Sequence, residues 1–121
     1  MIQVKNLRKE FGTKVAVEDV SFKVEKGEVL GFLGPNGAGK STTMRMVTGY
    51  FRPTSGSVSL GGLDMLEEPE KAKQLLGYLP ENAPLYSDMT VASFLSFCAE
   101  LRGIHGAART KAIARVLDLC F

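Results

Sequence analysis

A glycine-rich stretch in the first half of the chain reads Gly34-Pro35-Asn36-Gly37-Ala38-Gly39-Lys40-Ser41-Thr42. It matches G-x-x-x-x-G-K-[ST], the pattern of a phosphate-binding P-loop. The apolar run at 28–33 that precedes it has the length and flanks of a buried strand. The residues that follow, 41–48, favour a helix, which Gly49 ends as a C-terminal cap. A strand, a glycine-rich turn and a helix in this order direct backbone N–H groups toward a bound anion.

The residue types in this stretch suit nucleotide phosphates. Glycines at 34, 37 and 39 lack Cβ atoms, so the loop can adopt positive φ and approach an anion closely. Successive N–H groups then form an anion nest at the positive end of the helix dipole. The Lys40 ammonium is suited to the β- and γ-phosphate oxygens, and the Ser41 hydroxyl is placed to ligate Mg²⁺. The alternative is a glycine-rich turn beside a surface lysine, but the complete motif and its flanks favour a nucleotide site.

Composition is typical of one modest globular domain. The chain has 121 residues, of which 45% are hydrophobic and 23% charged, with a net charge of +2. Without a dense Lys/Arg stripe, we expect no nucleic-acid partner. Cys98 and Cys120 fall in apolar helical patterns and are predicted to be reduced core thiols. Since no membrane-span or signal-peptide pattern is found, we expect a cytoplasmic chain unless a partner holds it at a membrane.

Alternating apolar residues predict an N-terminal β region. Strands are expected at 1–7 and at 15–24, the second broken near Glu18 and Asp19. Their short connection predicts antiparallel pairing, whereas the strand that leads into the P-loop is expected to be parallel. Further short strands are expected at 57–60 and at Tyr78-Leu79, and the strand at Tyr78-Leu79 is expected to be buried.

Three helices are predicted after the P-loop helix. Pro69 and Gly77 bracket the first, Thr90 can N-cap the second, which ends before Gly103, and the third begins near Ala107. Apolar stripes on the last two helices predict core packing. The stripe residues are Val91, Phe94, Leu95, Cys98 and Leu101, then Ile113, Val116, Leu117 and Cys120.

Motifs in order along nearly the whole chain resemble the N-terminal half of an ABC-transporter nucleotide-binding domain. Phe11, before Gly12, matches the aromatic position that stacks on adenine in that family. Residues 34–42 have the spelling GPNGAGKST that is typical of the family's Walker A motif, and 53–58 resemble the connector to the next strand. Residues 77–81 resemble the segment that ends at the Q-loop, and the spelling Leu79-Pro80-Glu81 resembles exporters of drugs and polysaccharides and gliding-motility proteins.

The resemblance implies a fold and a division of the chain. The fold class is α/β: a partial P-loop NTPase core with an N-terminal antiparallel β region and the start of an α-helical subdomain. Residues 1–80 would form the nucleotide-binding core, and 81–121 the Q-loop-like segment and the first helices of the subdomain. The implied ligands are ATP and Mg²⁺, held by Phe11, the residues of 34–42 and, for the metal, Ser41 and Glu81.

Two departures from the family pattern affect the chemistry. The Q-loop position, usually glutamine, is Glu81, whose full charge would bind Mg²⁺ or, without metal, repel the γ-phosphate. The alternative is an exposed loop glutamate. The 121 residues also contain no LSGGQ signature, Walker B motif, D-loop or switch histidine. Asp64, Asp118 and His105 stand in no comparable context, so no catalytic residue is assigned, Glu81 being at most an auxiliary one. We expect ATP binding without turnover.

The resemblance further implies a role in transport. The chain would be the ATP- and Mg²⁺-binding half of an ATPase that drives substrate transport, in the direction of export, across a membrane. Its partners would be a membrane permease subunit and a second nucleotide-binding domain, which places it peripherally on the cytoplasmic face. The alternative is a soluble ABC-type ATPase or regulatory nucleotide-binding protein without a permease. A P-loop kinase is a third possibility, but it gives no role to Phe11.

Overall fold

The computed structural model describes residues 1–120 and divides the chain into two compact units, Met1–Tyr78 and a second from Leu79 onward. The first unit contains β1 (Ile2–Phe11), β2 (Lys14–Val24), α1 (Lys40–Val47), β3 (Ser55–Leu60), β4 (Leu63–Asp64) and α2 (Pro69–Gln74). The second contains α3 (Val91–Leu101) and α4 (Gly106–Cys120). Strands and helices together confirm the α/β class.

The first unit is built on a four-stranded sheet in the order β2-β1-β3-β4. All three pairings are antiparallel, as predicted for the N-terminal strands. β1 lies between β2 and β3 and contributes Val4 and Leu7 to the core. The core residues come from the sheet, α1, α2 and the segment between β4 and α2; they are Val4, Leu7, Val17, Met46, Val47, Val58, Leu60, Met65 and Ala72.

A bulge in β1 brings Val4 and Leu7 to the same side of the sheet. Between their partners, β1 advances by three residues while β2 moves only from Phe22 to Val20. Asn6 takes up the extra residue with φ of 46° in the left-handed region. Its N–H donates to Ser21 Oγ at 2.8 Å, so the amide that the bulge removes from the ladder still has an acceptor.

The irregularity expected in the second strand is present, but it does not interrupt the strand. β2 is continuous over Lys14–Val24. Between Leu7↔Val20 and Lys9↔Val17 its register shifts by one residue, at Glu18 and Asp19. This shift allows the core to receive Val17, which is buried, and Val20, which packs against it.

The predicted strand before the P-loop is absent. Residues 28–33 have no strand structure, and Val29 and Leu33 are 96% and 94% exposed. Phe32 contacts the Phe22 ring, with centroids 5.6 Å apart. A strand needs a neighbouring strand for its ladder hydrogen bonds, and within residues 1–120 no strand pairs with this segment. The prediction of a parallel, buried strand is therefore wrong: the segment has no regular secondary structure and is exposed except at the half-buried Phe32.

The short strand predicted at Tyr78-Leu79 is also absent. Neither residue lies in a strand, and both are exposed, Leu79 to 82%. The same ladder argument applies, because two apolar residues can form a strand only where a partner backbone lies alongside.

In the second unit the helix bounds agree with prediction, but the packing differs. Thr90 Oγ1 caps α3 by accepting from the Ser93 N–H at 3.1 Å. Among the described residues of α3 and α4 only Ala99 is buried. Predicted core residues such as Val91, Leu101 and Val116 are exposed. Cys98 is half-buried and Cys120 exposed, so neither thiol is in a core. Each of the two helices can cover only one face of the other, so the remaining apolar residues of each stripe are exposed to solvent.

Within residues 1–120, no helix combines the length and the apolar character required to cross a bilayer.

Candidate functional site: a glycine-rich loop at the start of a helix

The glycine-rich loop runs directly into α1, as the motif predicts. Gly39 is the N-cap residue, with φ of 87°, and Gly37 has φ of 84°. Both values lie in the left-handed region that glycine adopts without steric cost. α1 begins at Lys40, so the amides of Lys40, Ser41 and Thr42 belong to the first helical turn, which has no carbonyl partners within the helix. The loop therefore places orphan donors and the positive end of a helix dipole together.

Gly39 is required for space as well as for its backbone angle. A Cβ at this position would collide with the carbonyl oxygen of Ala16 and lie 3.0 Å from Val17 Cγ2. At Gly37, by contrast, no atom lies within 4 Å of such a Cβ. The loop is thus seated against the backbone of β2 at Gly39 and open at Gly37. Only glycine permits the close approach at Gly39.

Lys40 closes the loop on itself. Its Nζ donates to the carbonyl oxygen of Pro35 at 2.7 Å and also to that of Gly34. The Pro35 carbonyl additionally accepts from the Ala38 N–H at 3.2 Å. The side chain crosses Gly34, where an added Cβ would lie 3.7 Å from Lys40 Cδ. The ammonium is therefore held among loop backbone atoms at the start of α1, where a phosphate could exchange for a carbonyl partner.

A buried threonine supports the junction between loop and helix. Thr43, 1% exposed, donates from Oγ1 to the Gly39 carbonyl at 2.8 Å, and its N–H donates to the same oxygen at 2.8 Å. The sequence analysis did not single out this residue. A hydroxyl four positions after the last loop glycine, where it can reach that carbonyl, is the signal that could have identified it.

Phe11 lies at the end of β1 and is 44% exposed. Its register partner on β2 is Lys14, two residues before Ala16, whose carbonyl lies against Gly39. β2 thus connects the predicted base platform with the phosphate loop. The ring of Phe11 meets that of Phe51 edge-on, with centroids 5.4 Å apart at 72°. Part of the Phe11 surface remains available for stacking on a planar ligand.

The residues predicted to bind metal lie in different units. Ser41 is exposed in the first turn of α1, and Glu81 is exposed in the second unit. Among residues 1–120, no group of three or more His, Cys, Asp or Glu side chains could hold a metal ion by itself. Asp64 is engaged locally, since its Oδ1 accepts from the N–H groups of Leu66 at 2.7 Å and Glu67 at 3.2 Å. Asp118 lies in α4, and His105 is exposed between α3 and α4.

Comparison with known proteins gives one consistent family. The family model described as "ABC transporter" matches residues 17–119. Over 118 residues the chain is 43% identical to the probable multidrug ABC transporter ATP-binding protein YbhF of Escherichia coli, covering 98% of the chain and 20% of YbhF. It is 42% identical over 119 residues to the linearmycin resistance ATP-binding protein LnrL of Bacillus subtilis, covering 98% of the chain and 38% of LnrL. The chain thus spans well under half of either relative.

A solved structure described as the ATP binding subunit of an ABC transporter shares the fold. It superposes with a TM-score of 0.80 at 34% identity, covering 88% of this chain and 45% of that one. The likeness confirms the expected P-loop core, although residues 28–33 are not paired in a sheet here.

Proposed function

The chain belongs to the ABC transporter family, and from that premise we propose that its glycine-rich loop binds the β- and γ-phosphates of ATP. The observation that carries this proposal is the placement of the Lys40 ammonium beside the orphan amides at the start of α1. Phosphate oxygens would accept from the first-turn amides, and Lys40 would exchange its bonds with Gly34 and Pro35 for bonds to phosphate. The proposed phosphate site comprises residues 34–42, which are the loop and the first residues of α1.

We propose that adenine stacks on Phe11. The half-exposed ring offers an apolar surface, and β2 joins its position to the phosphate loop at Gly39. Stacking on a π-face does not depend on the hydrogen-bonding groups of the base, so the site should accept guanine as well as adenine. Specificity for the base is accordingly expected to be weak.

Mg²⁺ fits the donor set at the start of α1. Ser41 offers one exposed hydroxyl oxygen, and Mg²⁺ at nucleotide sites takes most of its ligands from phosphate and water and few from protein. Bound Mg²⁺ would neutralise charge on the β- and γ-phosphates. Ser41 would hold it through its hydroxyl, and we propose that Glu81 adds a carboxylate contact, directly or through water.

The proposed biological role is to drive transport across a membrane through a permease subunit. The names of YbhF and LnrL, which refer to multidrug transport and linearmycin resistance, favour export. In this role the chain pairs with a second nucleotide-binding domain and lies peripherally on the cytoplasmic face of the membrane. The alternative is a soluble ABC-type regulatory protein. Co-purification of a membrane permease with the tagged chain from detergent-solubilised membranes supports the first, and its recovery in a soluble complex without one supports the second.

Calorimetric titration of the 121-residue chain with ATP, ADP and AMP, each with Mg²⁺, tests the nucleotide proposal directly. ATP and ADP should bind, and AMP, which has no β- or γ-phosphate, should bind at least about tenfold more weakly, since it lacks charge-assisted contacts worth about 1.5–3 kcal/mol. Equal affinity for AMP and ATP would show that the loop does not bind the β- and γ-phosphates.

A further inference from the structure

The end of β1, the last turn of α1 and the connector at 48–54 between α1 and β3 form a small cluster of rings and cations, which we name the Phe51 cluster. Its members are Lys9, Phe11, Arg45, Tyr50 and Phe51. Phe51 is at the centre, since its ring contacts those of Phe11 at 5.4 Å and Tyr50 at 5.1 Å between centroids. Phe51 is half-buried and packs against the core, whereas Phe11 is 44% exposed at the end of β1.

Lys9 joins the two central rings. Its Nζ lies 5.0 Å from the Phe11 centroid and 5.8 Å from the Phe51 centroid, within the range of cation–π attraction. The same ammonium donates to the Arg52 carbonyl at 2.8 Å, which ties the tip of β1 to the connector. A free phenylalanine side chain at a strand end would sample several rotamers. With Phe51 on one side and Lys9 on another, the Phe11 ring is restricted before any ligand arrives.

The backbone around the cluster is tied in the same way. The Thr54 N–H donates to the Arg8 carbonyl at 2.8 Å, and the Glu10 N–H donates to Thr54 Oγ1 at 3.0 Å. The connector that carries Phe51 is therefore fixed to the strand that carries Phe11. It is also the direct continuation of α1, since the Phe51 N–H donates to the Arg45 carbonyl at 3.0 Å. The helix that starts at the phosphate loop is thus linked at its last turn to Phe51, whose ring contacts that of Phe11.

We infer that Phe51 and Lys9 are positioning residues for the nucleotide base, acting through Phe11 without contacting the ligand themselves. The inference rests on the proposed function, in which Phe11 stacks on the base. Because the Phe11 ring is held in place beforehand, the binding free energy does not have to cover its ordering. Loss of the aromatic contact should therefore weaken ligands that have a base and leave base-free phosphate ligands unaffected.

The test compares ATP with inorganic tripolyphosphate, each with Mg²⁺, by calorimetry on the 121-residue chain. Phe51→Leu keeps apolar bulk against the core and removes the ring. We expect ATP affinity to fall about two- to twelvefold, the value of an aromatic pair, with tripolyphosphate affinity unchanged. Phe51→Tyr keeps the ring and should bind ATP as the wild type does. Lys9→Met, which keeps the side-chain stem but removes the charge, should lower ATP affinity as Phe51→Leu does.

A double-mutant cycle separates positioning from general damage to the fold. In a Phe11→Ala background, Phe51→Leu should have no further effect on ATP, because the residue through which it acts is gone. Equal weakening of ATP and tripolyphosphate by Phe51→Leu, an unchanged ATP affinity, or an undiminished effect in the Phe11→Ala background would each overturn the inference. The proposed base site itself fails in a different way, if Phe11→Ala alone leaves the ratio of ATP to tripolyphosphate affinity unchanged.

Discussion

The Nζ of Lys40 donates to the Pro35 carbonyl oxygen at 2.7 Å, so the lysine of the motif binds the backbone of its own loop. These bonds hold the ammonium among the backbone atoms of the loop that leads into α1. Charge and donors are therefore placed before a phosphate binds, and little ordering is needed on binding.

We predict that Lys40→Ala reduces affinity for both ATP and ADP at least about tenfold, because charge-assisted hydrogen bonds contribute about 1.5–3 kcal/mol. The fold should be retained, since the core consists of other residues. Calorimetric titration measures the loss. Lys111→Ala, at an exposed position of α4, is the control and should bind as the wild type does. Unchanged affinity in Lys40→Ala would remove this lysine from the site.

Gly39 and Gly37 offer a matched pair for separating steric contact from backbone strain. Both have φ near 85°, at 87° and 84°, so alanine at either position incurs the left-handed penalty of about 1–2 kcal/mol. Only Gly39→Ala also drives a Cβ into the Ala16 carbonyl. We expect Gly39→Ala to lower the melting temperature clearly more than Gly37→Ala in thermal denaturation. Equal shifts would mean that β2 moves away from the loop at little cost.

Phe11→Ala should weaken ATP binding by about 1–3 kcal/mol, the range for base stacking on an aromatic side chain, while GTP competes appreciably with ATP in the wild type. Because the ring is 44% exposed, its loss should lower the melting temperature without nucleotide only modestly. Phe97→Ala, in α3 and at 38% exposure, is a control that removes a comparable ring elsewhere. A large stability loss with unchanged ATP affinity would assign Phe11 to packing alone.

Glu81→Gln should make ATP binding less dependent on magnesium. A carboxylate near the γ-phosphate repels it when Mg²⁺ is absent and attracts the metal when it is present. The glutamine variant is therefore expected to bind ATP more tightly in the presence of a chelator and to gain less from added Mg²⁺. Glu67→Gln, an exposed glutamate before α2, serves as the control. Identical magnesium titrations for wild type and Glu81→Gln would leave Glu81 as a loop residue only.

Asn6 should tolerate glycine and reject valine. Its φ of 46° is accessible to glycine and strained for a β-branched residue by about 1–3 kcal/mol. Asn6→Gly loses the 3.3 Å bond from Nδ2 to Asp19 Oδ1, which is exposed and of small value, so its stability should stay near that of the wild type. Chemical denaturation of Asn6→Gly and Asn6→Val measures the difference. If Asn6→Val were as stable as the wild type, the bulge would not depend on this backbone angle.

Local chemistry along the chain was sufficient to predict the parts of the molecule that depend on near neighbours. The glycine pattern predicted the loop and the start of α1, since positive φ and orphan amides are properties of a few consecutive residues. Thr90 predicted the start of α3 because its hydroxyl reaches an amide three residues away. The short connection after Phe11 predicted antiparallel pairing of β1 with β2. The assignment of nucleotide and metal contacts to Phe11, to residues 34–42 and to Glu81 stays a prediction.

Contacts between distant residues were decided only by the tertiary structure. The pattern of apolar residues could not show that 28–33 lack a neighbouring strand, because a ladder depends on which backbone lies alongside. The bulge at Asn6 follows from simultaneous pairing of β1 with two strands. The contact between Phe11 and Phe51 joins residues far apart in sequence, through the register of β1 and the path of the connector. Such contacts form only when distant segments come together in the sheet, so they cannot be predicted from any short stretch of sequence.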